Sequence, residues 1–305
     1  MHKKPNFLIV GAAKSGSTSL YQYINQHPEV FMPINKEPNF FVSEYQELTS
    51  KKCPSFQVDR KRMVYKEDDY FKLFDEANPK HKAIGEATVT YLYKPKYAIP
   101  KIKKYLDDPK IIIILRNPVK RAFSHYSYAR ELGFENEEFS NALQLESERL
   151  NNNWSSTFAY LDQGLYSHQV QAYIDTFTNV HVIILEEFIK DPQRYLKEVY
   201  RFLNIDDKFQ NTFAEEHNVS GLPRFKLFHK FLIHDNRTKD FIKKFFGSVI
   251  SEETLRKIAR KSRRLNQTMR LTMDEDTKDY LEAFYRNDII LLEKLLNKNL
   301  DVWNN

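Results

Sequence analysis

Three short aliphatic runs, Phe7 to Val10, Ile111 to Leu115 and Val182 to Leu185, each give way at once to a helical pattern. Such runs leave no polar face, so each reads as a strand buried on both sides, as in a parallel sheet covered by helices. After the first, Leu20 and Ile24 lie one turn apart, Ser17 or Thr18 is available as the helix cap, and Pro28 closes the segment. After the second, Pro118 stands where a first helical turn tolerates it, and Ala122, Tyr126 and Ala129 carry the inner face. After the third, Tyr195-Leu196, Val199-Tyr200 and Leu203 fall at helical spacing. A weaker strand ends near Gly85-Glu86. The alternation implies βαβ units: an α/β fold with a parallel sheet flanked by helices, right-handed crossovers and a helical C-terminal part. The 305 residues read as one domain, a nucleotide-binding core over 1–225 and a helical, charged extension over 226–305.

Open parallel sheets bind ligands beyond the carboxyl ends of their strands, so function is sought just after Val10, Leu115 and Leu185 and around Glu86. Glycine is scarce: 7 in 305, about 2%, where roughly 7% is usual. Two glycines five residues apart, Gly11 and Gly16, therefore stand out. Gly11-Ala12-Ala13-Lys14-Ser15-Gly16-Ser17-Thr18 joins a buried strand to a helix. Small residues there expose backbone N–H groups, and the helix N-terminus adds partial positive charge, so an anion is held. The spacing is close to that of a nucleotide P-loop, but Ser17 replaces the lysine that should follow the second glycine, and Lys14 sits two residues before it. An ATP site also needs a carboxylate near a later strand end to hold Mg²⁺. Here that strand ends in Arg116, a cation suited to a bare phosphate, so the expectation is a phosphorylated nucleotide bound without metal.

Composition narrows the classes further. Lys plus Arg is 47 against 41 Asp plus Glu, a formal +6, which suits a local anion pocket and is too small an excess to coat nucleic acid. Abundant aromatics, 23 Phe and 18 Tyr, supply a core and exclude global disorder. One cysteine, Cys53, excludes an internal disulfide. The apolar run after the N-terminal Met-His-Lys-Lys is at the short limit for a signal peptide, and no stretch reaches the roughly 18 apolar residues of a membrane span. The expected location is cytoplasmic.

The second motif runs Ile111 to Leu115, then Arg116-Asn117-Pro118, with Arg121 and Ser124 following. A guanidinium at a strand end and a hydroxyl two turns into the next helix can converge on one phosphate. Phe7 to Leu20 resembles the 5′-phosphosulfate loop of sulfotransferases, and Ile111 to Ser124 resembles their 3′-phosphate motif. The order of further landmarks is similar to the heparan-sulfate and carbohydrate sulfotransferases: Asn35 to Phe41, Gly85-Glu86-Ala87-Thr88, and Gly164-Leu165-Tyr166. The resemblance implies a P-loop-type fold and 3′-phosphoadenosine 5′-phosphosulfate, PAPS, as sulfuryl donor, with 3′-phosphoadenosine 5′-phosphate, PAP, as product and no metal.

It also implies roles. Lys14, Ser15, Gly16, Ser17, Thr18 and Ser19 would hold the 5′-phosphosulfate, with Lys14 opposing charge on the leaving phosphate. Arg116 and Ser124 would take the 3′-phosphate, assisted by the loop Asn218 to Arg224 through Ser220, Gly221 and Arg224. Glu37 occupies the place of the catalytic glutamate and would act as general base. Glu86 could orient Lys14 or assist that base, and His27 and His125 are histidine alternatives. The acceptor is a hydroxyl compound: a glycan, a lipid or a small metabolite. Residues 42–70 and 131–153 are expected to shape its cleft, with Tyr45 and Trp154 available to stack on sugar rings, and the basic run Arg256 to Arg264 available to an acidic partner. From the residues alone, a P-loop kinase or NTPase and a non-catalytic nucleotide- or polyanion-binding module remain open.

Overall fold

The structure is a computed structural model that describes residues 2–61, 63–213 and 271–304, with the backbone of 222–223 and 267–269. Its centre is a five-stranded parallel sheet: β1 (Phe7–Gly11), β2 (Val30–Phe31), β3 (Ala83–Ala87), β4 (Lys110–Leu115) and β5 (Val180–Ile184). Their order in the sheet is β2-β3-β1-β4-β5. The weak strand at Gly85-Glu86 is real and pairs directly with β1. β2 has no counterpart in the sequence reading, because two residues cannot display a period. The third run was placed two residues too late: pairing spans Val180 to Ile184, and Leu185 opens a helix instead of closing the strand.

The aliphatic runs follow from burial on both faces. Leu8, Val10, Ile111, Ile113 and Leu115 enter one core, while Phe7, Ile9, Ile112 and Ile114 enter another across the sheet. All nine are fully buried, each worth about 1.5–3 kcal/mol relative to exposure. The second core is closed by α1 (Ser17–Ile24) and by α11 (Pro192–Leu203), which follows the short α10 (Leu185–Lys190). The first is closed by α6 (Pro95–Leu106), α9 (Tyr166–Ile174) and the long helix Glu275–Leu296. That long helix is fixed by Asp288, which accepts the backbone N–H of Tyr166 (2.7 Å) and so caps α9.

A third cluster lies outside the sheet layers. The helix α7 (Pro118–Glu131) begins at Pro118 as expected, and its face of Ala122, Tyr126 and Ala129 packs on α8 (Phe139–Asn151), Cys53 and Phe56. The two segments expected to frame an acceptor cleft are joined here: Ser50 N–H donates to Asn153 O (2.7 Å), and the Ser55 and Ser155 hydroxyls meet at 2.8 Å. Tyr45 and Trp154 are engaged in packing of their own. Tyr45 lies against Tyr97 and under Lys94, and Trp154 meets Phe158 edge-on beneath the Arg149 guanidinium.

The chain leaves β1 for β2 and β3 on one side, then crosses to β4 and β5 on the other. The reversal falls between β1 and β4, where the crossover helices diverge and a crevice opens at the strand tips.

Candidate active site

Both anion motifs converge on that crevice. β1 ends at Gly11, where a Cβ would stand 2.5 Å from Leu92 Cβ, so only glycine lets the chain turn beneath Leu92. The loop closes at Gly16, with φ +85° and an added Cβ only 2.7 Å from Leu185 Cδ1. Gly16 is itself the N-terminal cap of α1, and no side chain caps that helix. Ser17 and Thr18, expected as caps, sit inside the first turn. The reason is physical: the left-handed turn and the approach of Leu185 require glycine at the cap position, which leaves the helix without a side-chain cap.

Lys14 lies between the glycines in the left-handed region, φ 63°. Its ammonium sits over the Tyr128 ring at 4.1 Å. Burial lowers its pKa to about 8, and neighbouring Arg116 and Lys36 push the same way against Glu131 and Glu37. Arg116, at the tip of β4, donates from Nη1 to the Lys14 carbonyl (3.1 Å), so the second motif's cation braces the first motif's loop. Ser124, Tyr128 and Glu131 form one stripe along α7, three or four residues apart, and Tyr128 and Glu131 on that stripe adjoin Lys14. Ser15 Oγ is fully buried beside the Tyr166 hydroxyl, which bears on it as a polar neighbour.

Opposite the loop stands Glu37. Its backbone is left-handed, φ 61°, and tied at both polar groups: its N–H donates to Ala87 O (3.1 Å) and its carbonyl accepts Asn39 Nδ2 (2.7 Å). Lys36 bridges the two halves. Its Nζ donates to Thr18 Oγ1 (2.9 Å) and Ser17 Oγ (3.4 Å) and lies 3.4 Å from Glu37 Oε1. The arrangement thus pairs a carboxylate with a cation-lined anion cradle.

A profile of the sulfotransferase family matches residues 5–209. The chain belongs to this family of enzymes. Relatives include the membrane-associated sulfotransferase kil1 of Dictyostelium discoideum, 32% identical over 41% of this chain and 23% of that protein. Carbohydrate sulfotransferase 15 of Mus musculus is 26% identical over 66% of this chain and 44% of its own length. The chain thus spans less than half of either. Among solved structures, a sulfotransferase from Alicyclobacillus acidocaldarius superposes with TM-score 0.73 and 28% identity, covering 99% of this chain and 100% of the other. Among the described residues of this sulfotransferase no helix is long and apolar enough to cross a membrane. The cytoplasmic expectation finds no support among the relatives, one of which is named as membrane-associated.

Other candidates in the sulfotransferase sit away from the cradle or are spoken for. His27 donates from Nε2 to Asp206 O (2.9 Å), accepts Glu29 N–H and packs on Tyr200 and Phe209, a structural role. His125 is buried on the inner side of α7, its Nδ1 meeting Arg121 Nη1 at 3.2 Å, and burial with that cation holds its pKa well below the usual range. Glu86 makes no hydrogen bond to Lys14: it is buried, its oxygens accept Thr88 Oγ1 (2.8 Å) and Tyr70 OH (3.3 Å), and the Glu37 charge bears on it. Ser220, Gly221, Arg224 and the basic run 256–264 lie outside the described residues; only the backbone pairing of Leu222–Pro223 with Gln267–Met269 is seen nearby. Lys36 and Tyr128 were missed as site residues. The available signals were Lys36's place beside Glu37 and Tyr128's place one turn beyond Ser124.

Burial raises the Glu86 pKa to about 7, against the pull of its hydroxyl donors. Its unfolded value is about 4.3, so the folded state holds the proton more tightly and loses stability as pH rises from there to about 7. Glu86→Gln is therefore expected to melt with wild type near pH 4 and to be more stable above pH 7, by about 3–4 kcal/mol. Thermal melts across that range check it; an equal offset at every pH refutes the buried-acid account.

Proposed function

We propose that the enzyme moves a sulfuryl group from PAPS to an acceptor hydroxyl, with Glu37 as general base. The observation that carries this reading is the joined pair of cations, Arg116 bonded to the Lys14 carbonyl at 3.1 Å, facing the Lys36–Glu37 pair across the loop hydroxyls. The residues fit the nucleotide. The uncapped first turn of α1 and the tight cradle at Gly16 both suit a phosphate group. Lys14 and residues 15–19 would hold the 5′ end; Arg116 and Ser124 would hold the 3′-phosphate.

PAPS supplies an activated sulfuryl group and a stable nucleotide leaving group. Glu37 accepts the proton of the attacking hydroxyl as the new S–O bond forms and the bond to the phosphate oxygen breaks. With the 5′ end in the loop, Lys14 and the backbone N–H groups of the first turn would oppose the charge gained by the leaving phosphate oxygen, which would favour the transition state over the ground state. Lys36, between the loop hydroxyls and Glu37, holds the base against the cradle. Relatives named for carbohydrate and heparan sulfate favour a sugar hydroxyl as acceptor.

Titration calorimetry with PAP and ADP, with and without Mg²⁺, tests the reading. PAP is expected to bind more tightly and without metal, and Arg116→Ala to weaken PAP by about 2 kcal/mol more than it weakens ADP, the worth of a charge-assisted contact, since only the loss of the brace on the Lys14 carbonyl is common to both ligands. Equal affinity for the two nucleotides in wild type would remove the 3′-phosphate assignment. Preference for ADP with Mg²⁺ would favour a nucleotide triphosphatase or kinase.

A further inference from the structure

The peptide unit that carries Arg116 is held by a part of the chain remote in sequence. The Arg116 carbonyl accepts the Tyr166 hydroxyl (2.9 Å), and the Asn117 N–H donates to Glu186 Oε1 (3.0 Å). The other oxygen of Glu186 accepts the indole Nε1–H of Trp303 (2.9 Å). Trp303 returns the link, its carbonyl accepting Asn117 Nδ2 (2.6 Å), while Asn117 Oδ1 accepts Lys120 N–H (3.0 Å) at the start of α7. The three bonds among Asn117, Glu186 and Trp303 close a ring that joins the tip of β4, the start of α10 and the turn Asp301–Trp303. Trp303 is only 4% exposed and lies beside Tyr166, so its side of the ring is shielded from water, while Glu186 is half-buried. Burial works against the Arg116 charge, and Glu186 supports it.

We propose that Trp303 is a positioning residue for the 3′-phosphate: it orients Glu186, which fixes the Arg116–Asn117 peptide and so aims the guanidinium. This inference rests on the reading that Arg116 takes the 3′-phosphate. A backbone clamped on both sides costs no reorganisation when the anion arrives, and Trp303 itself touches the 5′ loop nowhere: the clamp reaches that loop only through the Arg116 bond to the Lys14 carbonyl and through Tyr166 beside Ser15.

Trp303→Phe keeps an aromatic side chain and removes the N–H donor together with the five-membered half of the indole, so its effect is read beside that of Glu186→Gln, which leaves the packing of Trp303 intact. With PAP and with adenosine 5′-phosphate, which lacks the 3′ group, calorimetry is expected to give about a tenfold weaker PAP affinity and a change under twofold for the monophosphate. The KM for PAPS is expected to rise with kcat unchanged. Glu186→Gln, which keeps shape but not charge, should reproduce the loss, and the double variant should lose no more than either single. These two variants guard against a folding defect in one, since melting curves are read alongside. A parallel fall in both affinities, or no fall in either, overturns the inference while the reading of Arg116 survives. Wild type that fails to prefer PAP over the monophosphate overturns both.

Discussion

Glu37→Gln should bind PAP within about threefold of wild type yet turn over about 10²–10⁴ times more slowly, the usual contribution of a positioned general base. The expectation follows from how the residue is held. Both backbone polar groups of Glu37 are fixed by hydrogen bonds, so the substitution leaves the segment in place, and glutamine keeps the side-chain volume. What is lost is the ability to accept a proton. The left-handed backbone at Glu37, with Asn39 also at positive φ, is a local strain that a non-glycine residue adopts only when its surroundings enforce it. Steady-state rates with PAPS, measured beside PAP affinity, decide the matter. Normal turnover in the variant would move the base elsewhere. Lys36→Met serves as a companion: it should slow turnover with little change in PAP affinity, since its contacts are to the loop hydroxyls and to Glu37.

Lys14→Met should abolish measurable turnover and weaken PAP by at least 100-fold, and it should also make the free protein more stable. The two effects share a cause. Burial holds Lys14 near a pKa of about 8, below its unfolded value of about 10.4. The unfolded chain therefore binds more protons between those values, so stability rises with pH across that window and the cost is fully present below about 8. A shift of this size corresponds to about 3 kcal/mol; partial exposure of Lys14 reduces it, and a gain of about 1–2 kcal/mol near pH 7 is expected for the methionine variant, shrinking towards pH 10. In wild type the bound anion should restore the proton, so PAP affinity should be flat below about pH 8 and fall above it. Melting curves and calorimetry over that range test both limbs. A methionine variant less stable than wild type would show that the cation is not strained in the free enzyme. Trading stability for a charged site is a familiar pattern in enzymes.

The sheet was legible because its strands are buried on both faces, and an unbroken run such as Ile111 to Leu115 has few other uses. The loop was legible because glycine is rare here, and both glycines answer real contacts, with Leu92 and Leu185. The misreadings have local causes. The cap of α1 was assigned by the usual preference for serine and threonine, but the tight approach of Leu185 and the left-handed turn demand glycine at that position. Glu86 looked catalytic by its place at a strand end, yet strand alternation turns it into the core, toward Tyr70 and Thr88. Lys36 could not be assigned from spacing, because its three partners come from α1 and from its own neighbour, a meeting that only the packed sheet creates. The two aromatics expected to be available to a sugar ring serve packing instead: Tyr45 lies against the first core and Trp154 against the third.

With Lys14 at the 5′ end and Arg116 at the 3′ end, as proposed above, the hydrogen bond from Arg116 to the Lys14 carbonyl would couple the two halves of the site. An inhibitor fragment that fills one end will pre-shape the other, so two weak fragments should cooperate even before any linker joins them. A screen that scores each half alone will undervalue both, and the useful hits will be those whose affinity improves when the opposite half is already occupied.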